Sequence, residues 1–423
     1  MIIERDMNIQ RDFYLNQLIA GRENGLIKII TGIRRCGKSY LLFRLFHEWL
    51  NANGVDDNHI IEVALDDRSN KSLRDPDALL NYVKKQIKDK NLHYILLDEI
   101  QIVPEFTDVL NSLLHIRNTD VYVTGSNSHF LSTDVVTEFR GRGDEIRLHP
   151  LSFAEFCQGF QMEKGKAWKE YYTYGGLPLV LSLDTEQKKA DYLTNLYQSV
   201  YLVDILERHK IKNKSEFDEL VKTMASTIGS PCNPTKLANT FKSAKKVEIH
   251  HHTISKYLSY LSDAFVLERS VRYDIKGKRY INTLGKYYFS DLGIRNALLG
   301  FRQQEENHIM ENIIYNELRI RGYHVDIGTV EERTTDRNNK TIRKQYEVDF
   351  VANQGNKRYY IQSAFALPDE AKIRQETASL TRIDDSFKKI IVVKDDIMPK
   401  RDENGIVTIG IMDFLLRPDS LDY

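Results

Sequence analysis

The stretch KIITGIRRCGKSYLLFRL, residues 28 to 45, constrains this chain more than any other. Gly32 is followed, after four residues, by Gly37-Lys38-Ser39. Before it, Lys28 to Thr31 reads as a short buried strand; after it, Tyr40 to Phe46 reads as the start of a helix. A strand, a glycine turn and a helix start aim backbone N–H groups and the positive end of a helix at one point. Glycines let the backbone close on an anion without Cβ clashes. Lys38 can reach the β- and γ-phosphates of a nucleotide, and the Ser39 hydroxyl can ligate Mg²⁺. The pattern predicts a nucleotide site built from Gly32, Ile33, Arg34, Arg35, Cys36, Gly37, Lys38, Ser39 and Tyr40, with ATP and Mg²⁺ as its occupants.

Hydrolysis needs carboxylates as well, and HYILLDEIQ supplies them. Tyr94 to Leu97 reads as a buried strand with Asp98-Glu99 at its end, where open α/β sheets place their ligands. Asp98 is the expected Mg²⁺ partner, and Glu99 the group that orients and deprotonates the attacking water. A further strand, Val121 to Thr124, ends in Gly125-Ser126-Asn127-Ser128. Asn127 or Ser126 can hydrogen-bond that water or the γ-phosphate; the alternative is a helix N-cap for SHFLSTDVV. IIEVALDD (60–67) reads as another strand, and PDALLNYVKKQIKD and VPEFTDVLNSLLHIRN as helices. Strands alternating with helices predict an α/β fold with a mostly parallel, doubly wound sheet.

Composition bounds the rest. The chain has 423 residues, room for two to four domains. Lys plus Arg and Asp plus Glu are 60 each, so no global field draws the chain to nucleic acid. Cys36, Cys157 and Cys232 are too sparse for a disulfide framework or zinc spacing and fit a reducing, cytoplasmic compartment. Cys36 reads as a small loop filler, or as an oxidation-sensitive thiol by virtue of its position. No apolar run approaches 18 residues, and the charged start MIIERDMNIQRDFYL is unlike a signal peptide.

Taken together, Gly32 to Ser39, Asp98-Glu99-Ile100-Gln101, Gly125-Ser126 and GRGDEIRLHPLSFAEF resemble the AAA-type ATPases with a DUF4143 C-terminal region. YGGLP (174–178), YFSDLGIRNAL (288–298) and ENIIYNELRIRGYHV (311–325) extend the resemblance over essentially the whole chain. It implies a P-loop ATPase core with an AAA-like parallel sheet over 1–150, a helical lid over 151–210 containing the YGGLP turn, a winged helix-turn-helix over 211–300, and a restriction-endonuclease-like α/β part over 301–423. ATPases of this broad class carry a charge-neutralising arginine before the last core strand, expected here at Glu145 to Leu148. It acts in cis or across a subunit interface of a homo-oligomer. Arg142 matches better than Arg140 because of the Gly141-Arg142 pair. Arg34 and Arg35 contact a neighbouring subunit, close on the lid, or face solvent.

In the middle region, SEFDELVKTMASTIGS, NPTKLANTFKSA and HHTISKYLSYLSDAF read as three helices, followed by β-rich runs around Gly277. The third helix offers His251, His252, Thr253, Ser255, Lys256 and Ser259, and the wing Arg272, Lys276, Lys278 and Arg279. Double-stranded DNA is one expected partner of this face, and a protein is the other. Beyond it, Glu311, Asp349 and then a strand motif follow the order of restriction-endonuclease-like folds. The expected Glu-x-Lys triplet reads Gln362-Ser363-Ala364, so the motif has lost a metal ligand and a cation. Glu347 and Asp349 remain, and Lys357 or Arg358 can take over the lysine role. Three functions follow: a Mg²⁺-ATPase that switches attached modules, an ATP-dependent nuclease, and a nucleotide-gated adaptor with little turnover.

Overall fold

The apolar runs of the first 150 residues lie side by side because each is flanked by an amphipathic helix that covers one sheet face. In a computed structural model, which describes residues 9–126, 141–160, 163–245, 248–302, 305–335 and 341–423, they are β1 (Ile27–Thr31), β2 (Ile60–Ala64), β3 (His93–Asp98), β4 (Thr119–Gly125) and β5 (Gly143–Arg147). All pair in parallel in the order β2-β3-β4-β1-β5. β1 and β3 are buried throughout. Parallel sheets are covered on both faces, which is why these runs are continuously apolar. One core packs Ile27, Ile29, Val63, Ile95, Leu97 and Val123 against Leu79, Val83 and Leu110 of the helices Pro76–Gln86 and Phe106–Leu114. Asp75 caps the first of these helices by accepting from Ala78 N–H, with Pro76 at its first position.

One charged pair lies inside this core. Lys28 of β1 is ion-paired to Asp120 of β4, with the two side chains 0% and 5% exposed. Asp120 also accepts from Tyr122 Oη at 2.9 Å and from Glu23 N–H at 3.0 Å. Its remaining lone pairs are thereby satisfied, the condition for a buried ion pair to be tolerated.

The chain divides into two compact units. One holds residues 1–151 with 177–182 and 263–265, and the other holds 152–176, 183–262 and 266–423. The second is built on a mixed nine-stranded sheet, in the order β13-β14-β12-β11-β10-β9-β7-β8-β6. Its strands are β6 (Pro231–Cys232), β7 (Leu267–Asp274), β8 (Arg279–Phe289), β9 (His324–Thr335), β10 (Thr341–Gln354), β11 (Lys357–Ala364), β12 (Lys388–Val393), β13 (Lys400–Arg401) and β14 (Val407–Gly410). The helices Lys214–Ser226, Pro234–Lys245 and His251–Asp263 precede the β7–β8 hairpin. The sequence reading divides the chain at 300/301. The sheet instead runs across that division, because β7 pairs in parallel with β9. GIVTIGIMDFLL is a strand only to Gly410; the helix Ile411–Leu416 takes the rest.

Within this second unit, the end of the helix Lys164–Tyr174 and Gly176 of YGGLP interlock with YFSDLGIRNAL. Asp291 accepts from Gly176 N–H at 2.8 Å and from Ile294 N–H at 3.0 Å. Asn296 Nδ2 donates to the carbonyls of Tyr172 and Thr173. One carboxylate thus caps the helix Leu292–Leu298 and fixes the turn after the helix Lys164–Tyr174. These segments join two helix ends by backbone recognition.

A bulge in β10 sets the faces of the same sheet. Val348 pairs with Gly328 and Val351 with Asp326, so Asp349 and Phe350 share one extra position. Val348 and Val351 face a core with Tyr360, Ala364, Ile391 and Val393. Gln362 alternates with Tyr360 and Ala364 and reaches Ser379 Oγ at 3.5 Å on that side. Asp349 lies on the opposite face, where Lys286 Nζ is 2.9 Å from Glu311 Oε1, 2.9 Å from Glu347 Oε1 and 3.8 Å from Asp349 Oδ1. The expected triplet is therefore corrected: Gln362 and Ala364 point away from the acidic residues, so a glutamate and a lysine at those positions would not join them. Lys357 and Arg358 are engaged elsewhere, with Asp422 and Asn353. The cation among the carboxylates is Lys286 of β8, unremarked in the sequence because 63 residues separate it from Asp349.

Burial and the neighbouring Glu311 push the Asp349 carboxyl up to about 8, while Lys286 and the Ser363 N–H pull it down. The groups facing it are Lys286, Glu311 and Glu347, with Tyr288 donating to Glu311 and Arg272 pairing with Glu347. An unfolded aspartate releases its proton near 4, so between about pH 4 and pH 8 the folded state holds the extra proton. Stability contributed here therefore falls as pH rises through that window. The expected slope approaches about 1.4 kcal/mol per pH unit. Asp349→Asn, which mimics the protonated form, should flatten it. Urea midpoints at pH 5 and pH 8 that shift equally in both proteins would refute this.

Candidate functional site

The loop between β1 and its helix has its shape forced by two glycines. Gly32 has φ 145°, and a Cβ there would lie 2.1 Å from the Leu148 carbonyl oxygen. Gly37 has φ 102° and stands immediately before the helix that starts at Lys38. That helix runs Lys38–Tyr40, passes through a π-helical stretch Leu41–Phe46 and continues as His47–Ala52. Arg35, between the glycines, is exposed and has φ 66°. Arg11 fastens the loop from below: its guanidinium donates to the carbonyls of Cys36 at 3.2 Å and His149 at 2.7 Å. Lys38 Nζ, buried, donates to the carbonyls of Gly32 at 3.0 Å and Ile33 at 3.2 Å. The ammonium is thus already inside the concavity of the loop. Tyr40, half-buried, lies one residue beyond Ser39 on the helix.

Cys36 is fully buried with Sγ 3.6 Å from the Leu148 carbonyl, and burial pushes its thiol up from the ordinary range. A thiol that is both inaccessible and hard to ionise is a poor nucleophile, which leaves the loop-filler reading.

β3 delivers the acidic pair to the same edge of the sheet. Asp98 Oδ2 accepts from Ser39 Oγ at 2.7 Å, and Asp98 Oδ1 accepts from Thr124 Oγ1 of β4. Burial pushes the Asp98 carboxyl up, and these two hydroxyls pull it back. Glu99 has φ 54° and ψ 44°, a conformation uncommon for a residue with a Cβ. Its N–H donates to Thr124 Oγ1 at 3.0 Å. Glu99 Oε2 accepts from Gln101 Nε2 and from Ser126 Oγ at 3.1 Å, and Arg34 Nε donates to Ser126 Oγ at 3.3 Å. Ser39 and Asp98 offer adjacent hard oxygens, the donor type Mg²⁺ prefers, so this pair fits the expected ion. Glycine backbone, Lys38 and helix start likewise fit a phosphate chain.

Thr124 and Gln101 belong to this network and carry no role in the sequence reading. The available signal was a polar residue closing the apolar run VYVT, beside a sheet edge already marked by Asp98. Asn127 and Arg140 lie outside the described residues. Arg142 is exposed, and its Nη1 meets Asn111 Oδ1 at 3.4 Å. Its carbonyl accepts from Ile27 N–H at the start of β1, whereas the loop leaves the other end of that strand. Five residues of strand, about 16 Å, intervene. Arg142 and the loop of the same chain thus stand at opposite ends of β1. Of the wing residues, Arg272 turns inward to Glu347 at 3.5 Å and is not available to phosphate. Lys276, Lys278 and Arg279 are exposed, as are His252, Ser255, Lys256 and Ser259. No helix among the described residues is long and apolar enough to cross a membrane.

Residues 24–157 match the model of an AAA domain, and residues 165–305 that of a domain of unknown function, DUF8612. The DUF4143 designation rests on the resemblance of motifs alone. Among solved structures, the chain is similar to the Aeropyrum pernix ORC1 protein in complex with DNA (13% identity, 70% of this chain, 94% of that one, TM-score 0.29). It is also similar to Cdc6p from Pyrobaculum aerophilum (12% identity, 74% and 97%, TM-score 0.28). A Methanocaldococcus jannaschii protein described as uncharacterized is 28% identical over 391 residues, 88% of this chain and 82% of its own. A Haemophilus influenzae protein with the same description is 32% identical over 415 residues, covering 97% of this chain and 99% of the relative. The chain therefore belongs to the family of that Haemophilus protein, and its residues 24–157 form an AAA domain.

Proposed function

We propose that this protein binds ATP with Mg²⁺ at Gly32–Tyr40, hydrolyses it, and uses its nucleotide state to switch what residues 152–423 bind. The observation that carries the reading is the Ser39–Asp98 bond, which joins the phosphate loop's helix to a buried carboxylate with Glu99 next to it. The loop N–H groups hold the phosphate chain. Lys38 exchanges the Gly32 and Ile33 carbonyls for the β- and γ-phosphate oxygens. Ser39 and Asp98 would hold the metal, which when bound would neutralise phosphate charge. Glu99 orients the attacking water and takes its proton. Gln101 and Ser126 tether its Oε2, leaving Oε1 for the water. Asn127 or Ser126 is the further candidate for hydrogen-bonding the attacking water or the γ-phosphate.

Lys38→Ala should weaken ATP binding at least tenfold, because it removes a charge-assisted contact. Glu99→Gln should keep binding and lose about 10²-fold or more in turnover, since an amide takes no proton. Calorimetry showing unchanged affinity in the first variant, or phosphate release within about threefold of wild type in the second, would defeat the assignment.

Arg142 is proposed to act in trans, on nucleotide held by a second copy in a homo-oligomer. An arginine that meets only developing charge is expected to change turnover rather than affinity, by about 10³-fold. Arg142→Ala and Lys38→Ala proteins, each inactive alone, should recover activity on mixing. A mixture as inactive as its parents counts against an intersubunit role.

The helices 214–226, 234–245 and 251–263 with the β7–β8 hairpin are read as a winged helix-turn-helix, its occupant double-stranded DNA or a protein. The β9–β12 region is read as a degenerate nuclease. In-line phosphodiester attack needs a metal between acidic groups. Lys286 instead places its own ammonium among Glu311, Glu347 and Asp349. Protein supplied with Mg²⁺ or Mn²⁺ and ATP should leave linear, circular and branched DNA intact. Metal-dependent cutting that Asp349→Ala abolishes would restore the ATP-dependent nuclease instead.

A further inference from the structure

The edge of the parallel sheet opposite the phosphate loop carries a cluster that the ATPase reading does not use. His59 ends the turn Asp57–His59 just before β2, and His93 is the first residue of β3. The register Ile60↔Tyr94 sets these two histidines next to one another at the starts of adjacent strands. Their ring centres are 4.9 Å apart with planes inclined at 56°. Asp89, on the loop that leads into β3, points at the same place, with Oδ2 3.1 Å from His59 Nε2. One ligand atom from each of the three lies within 4.8 Å of the others.

The hydrogen bonds prepare these groups for a ligand. His93 is fully buried, and its Nδ1–H donates to the Asn91 carbonyl at 2.8 Å. That fixes the tautomer and leaves Nε2 as the lone-pair nitrogen. A backbone carbonyl on the far ring nitrogen is the usual outer partner of a metal-binding histidine. The other contact to Nε2 is a long one, 3.4 Å from Lys88 N–H. The loop is held in place by Asn118, whose Nδ2 donates to the carbonyls of Asp89 and Asn91, each at 3.0 Å. Asn91 N–H fixes the other carboxylate oxygen, Asp89 Oδ1, at 2.8 Å. Asp89 is exposed, and a solvent-exposed aspartate is an anion at neutral pH.

We propose that His59, Asp89 and His93 bind a zinc-class divalent transition-metal ion, with the fourth position open to water. Two imidazoles and one carboxylate are a donor set suited to Zn²⁺ and its neighbours, and poorly suited to Mg²⁺. With metal–nitrogen bonds of about 2.0 Å, two rings on one tetrahedral ion have centres roughly 5 Å apart, close to the spacing here. Binding replaces the His59–Asp89 hydrogen bond, and the contacts of Asn91 Nδ2 to Asp89 Oδ2 at 3.1 Å and His59 Nε2 at 3.5 Å, by metal bonds that pin the β2 and β3 ends together. The site stands about 16 Å along β3 from Asp98, so it is independent of nucleotide.

Chelator-stripped, nucleotide-free protein titrated with Zn²⁺ should bind one equivalent, and zinc should raise its melting temperature. Co²⁺ should give the visible bands of a tetrahedral site without thiolate charge transfer. His59→Ala and Asp89→Ala should each weaken zinc binding by ten- to a hundredfold or more, since each removes a ligand. Both positions are at least partly exposed, so the stripped variants should melt as stripped wild type does. The consecutive histidines His250, His251 and His252 are the competing imidazole cluster, and His251→Ala/His252→Ala should bind zinc as wild type does. The proposal falls if wild type binds no zinc, if His59→Ala binds it undiminished, if Co²⁺ shows thiolate bands, or if the double variant is the one that loses it. A failure of ATP hydrolysis would leave these readouts unmoved.

Discussion

The carboxylate of Asp98 is the point on which the nucleotide edge depends. It is almost completely buried and would be costly there alone. Two hydroxyls compensate it, one from the first turn after the phosphate loop and one from the end of β4. The same Thr124 oxygen receives the N–H of Glu99, so one threonine sets both the acidic ligand and the backbone of the residue beside it. Ser39, Asp98, Glu99 and Thr124 are therefore not four independent choices. A change in one moves the reference frame of the others, and effects of substitution here should not add.

The second unit solves a similar problem by different means. Its buried acidic residues meet a lysine, Lys286, which three carboxylates keep well above the ordinary ammonium range despite its burial. Lys286 supplies the positive charge among them from a side chain tethered to β8. Among the motif residues, the side chains of Asp291 and Asn296 bind backbone groups, the N–H of Gly176 and Ile294 and the carbonyl of Thr173. That recurrent short segments mark this region need not mean catalysis: recognising a helix end by a buried carboxylate constrains sequence just as tightly.

Local chemistry made the first unit readable. Glycine spacing, a lysine and a serine specify a loop, and an apolar run ending in Asp98-Glu99 specifies a strand end; both signals are contained in a few adjacent residues. Thr124 escaped notice because its importance comes from a neighbouring strand, and nothing within VYVTG encodes that pairing. The Gln362-Ser363-Ala364 frame failed for a related reason. Strict alternation carries side-chain direction along a strand only until a bulge, and the extra residue at Asp349-Phe350 put Asp349 and Gln362 on opposite faces. Lys286 was invisible because β8 and β10 are not even adjacent: β7 and β9 lie between them. The His59–Asp89–His93 spacing matches no compact metal motif, and only the β2–β3 register assembles it.

A parallel sheet has two chemically different edges, and this chain puts different chemistry on each. All five strands of the first unit run the same way, so every carboxyl end contributes to one edge and every amino end to the other. The first collects the loop, Asp98, Glu99 and Ser126. The second collects His59, His93 and Arg142. A side chain on the second edge cannot reach a ligand bound at the first within the same chain, because the strands are longer than any side chain. Whatever Arg142 and the paired histidines do must therefore involve a separate ligand or a separate molecule. For Arg142 the available chemistry is an exposed guanidinium, a group suited to phosphate or carboxylate. For the histidines it is two imidazoles beside a carboxylate, suited to a transition-metal cation and not to a phosphate.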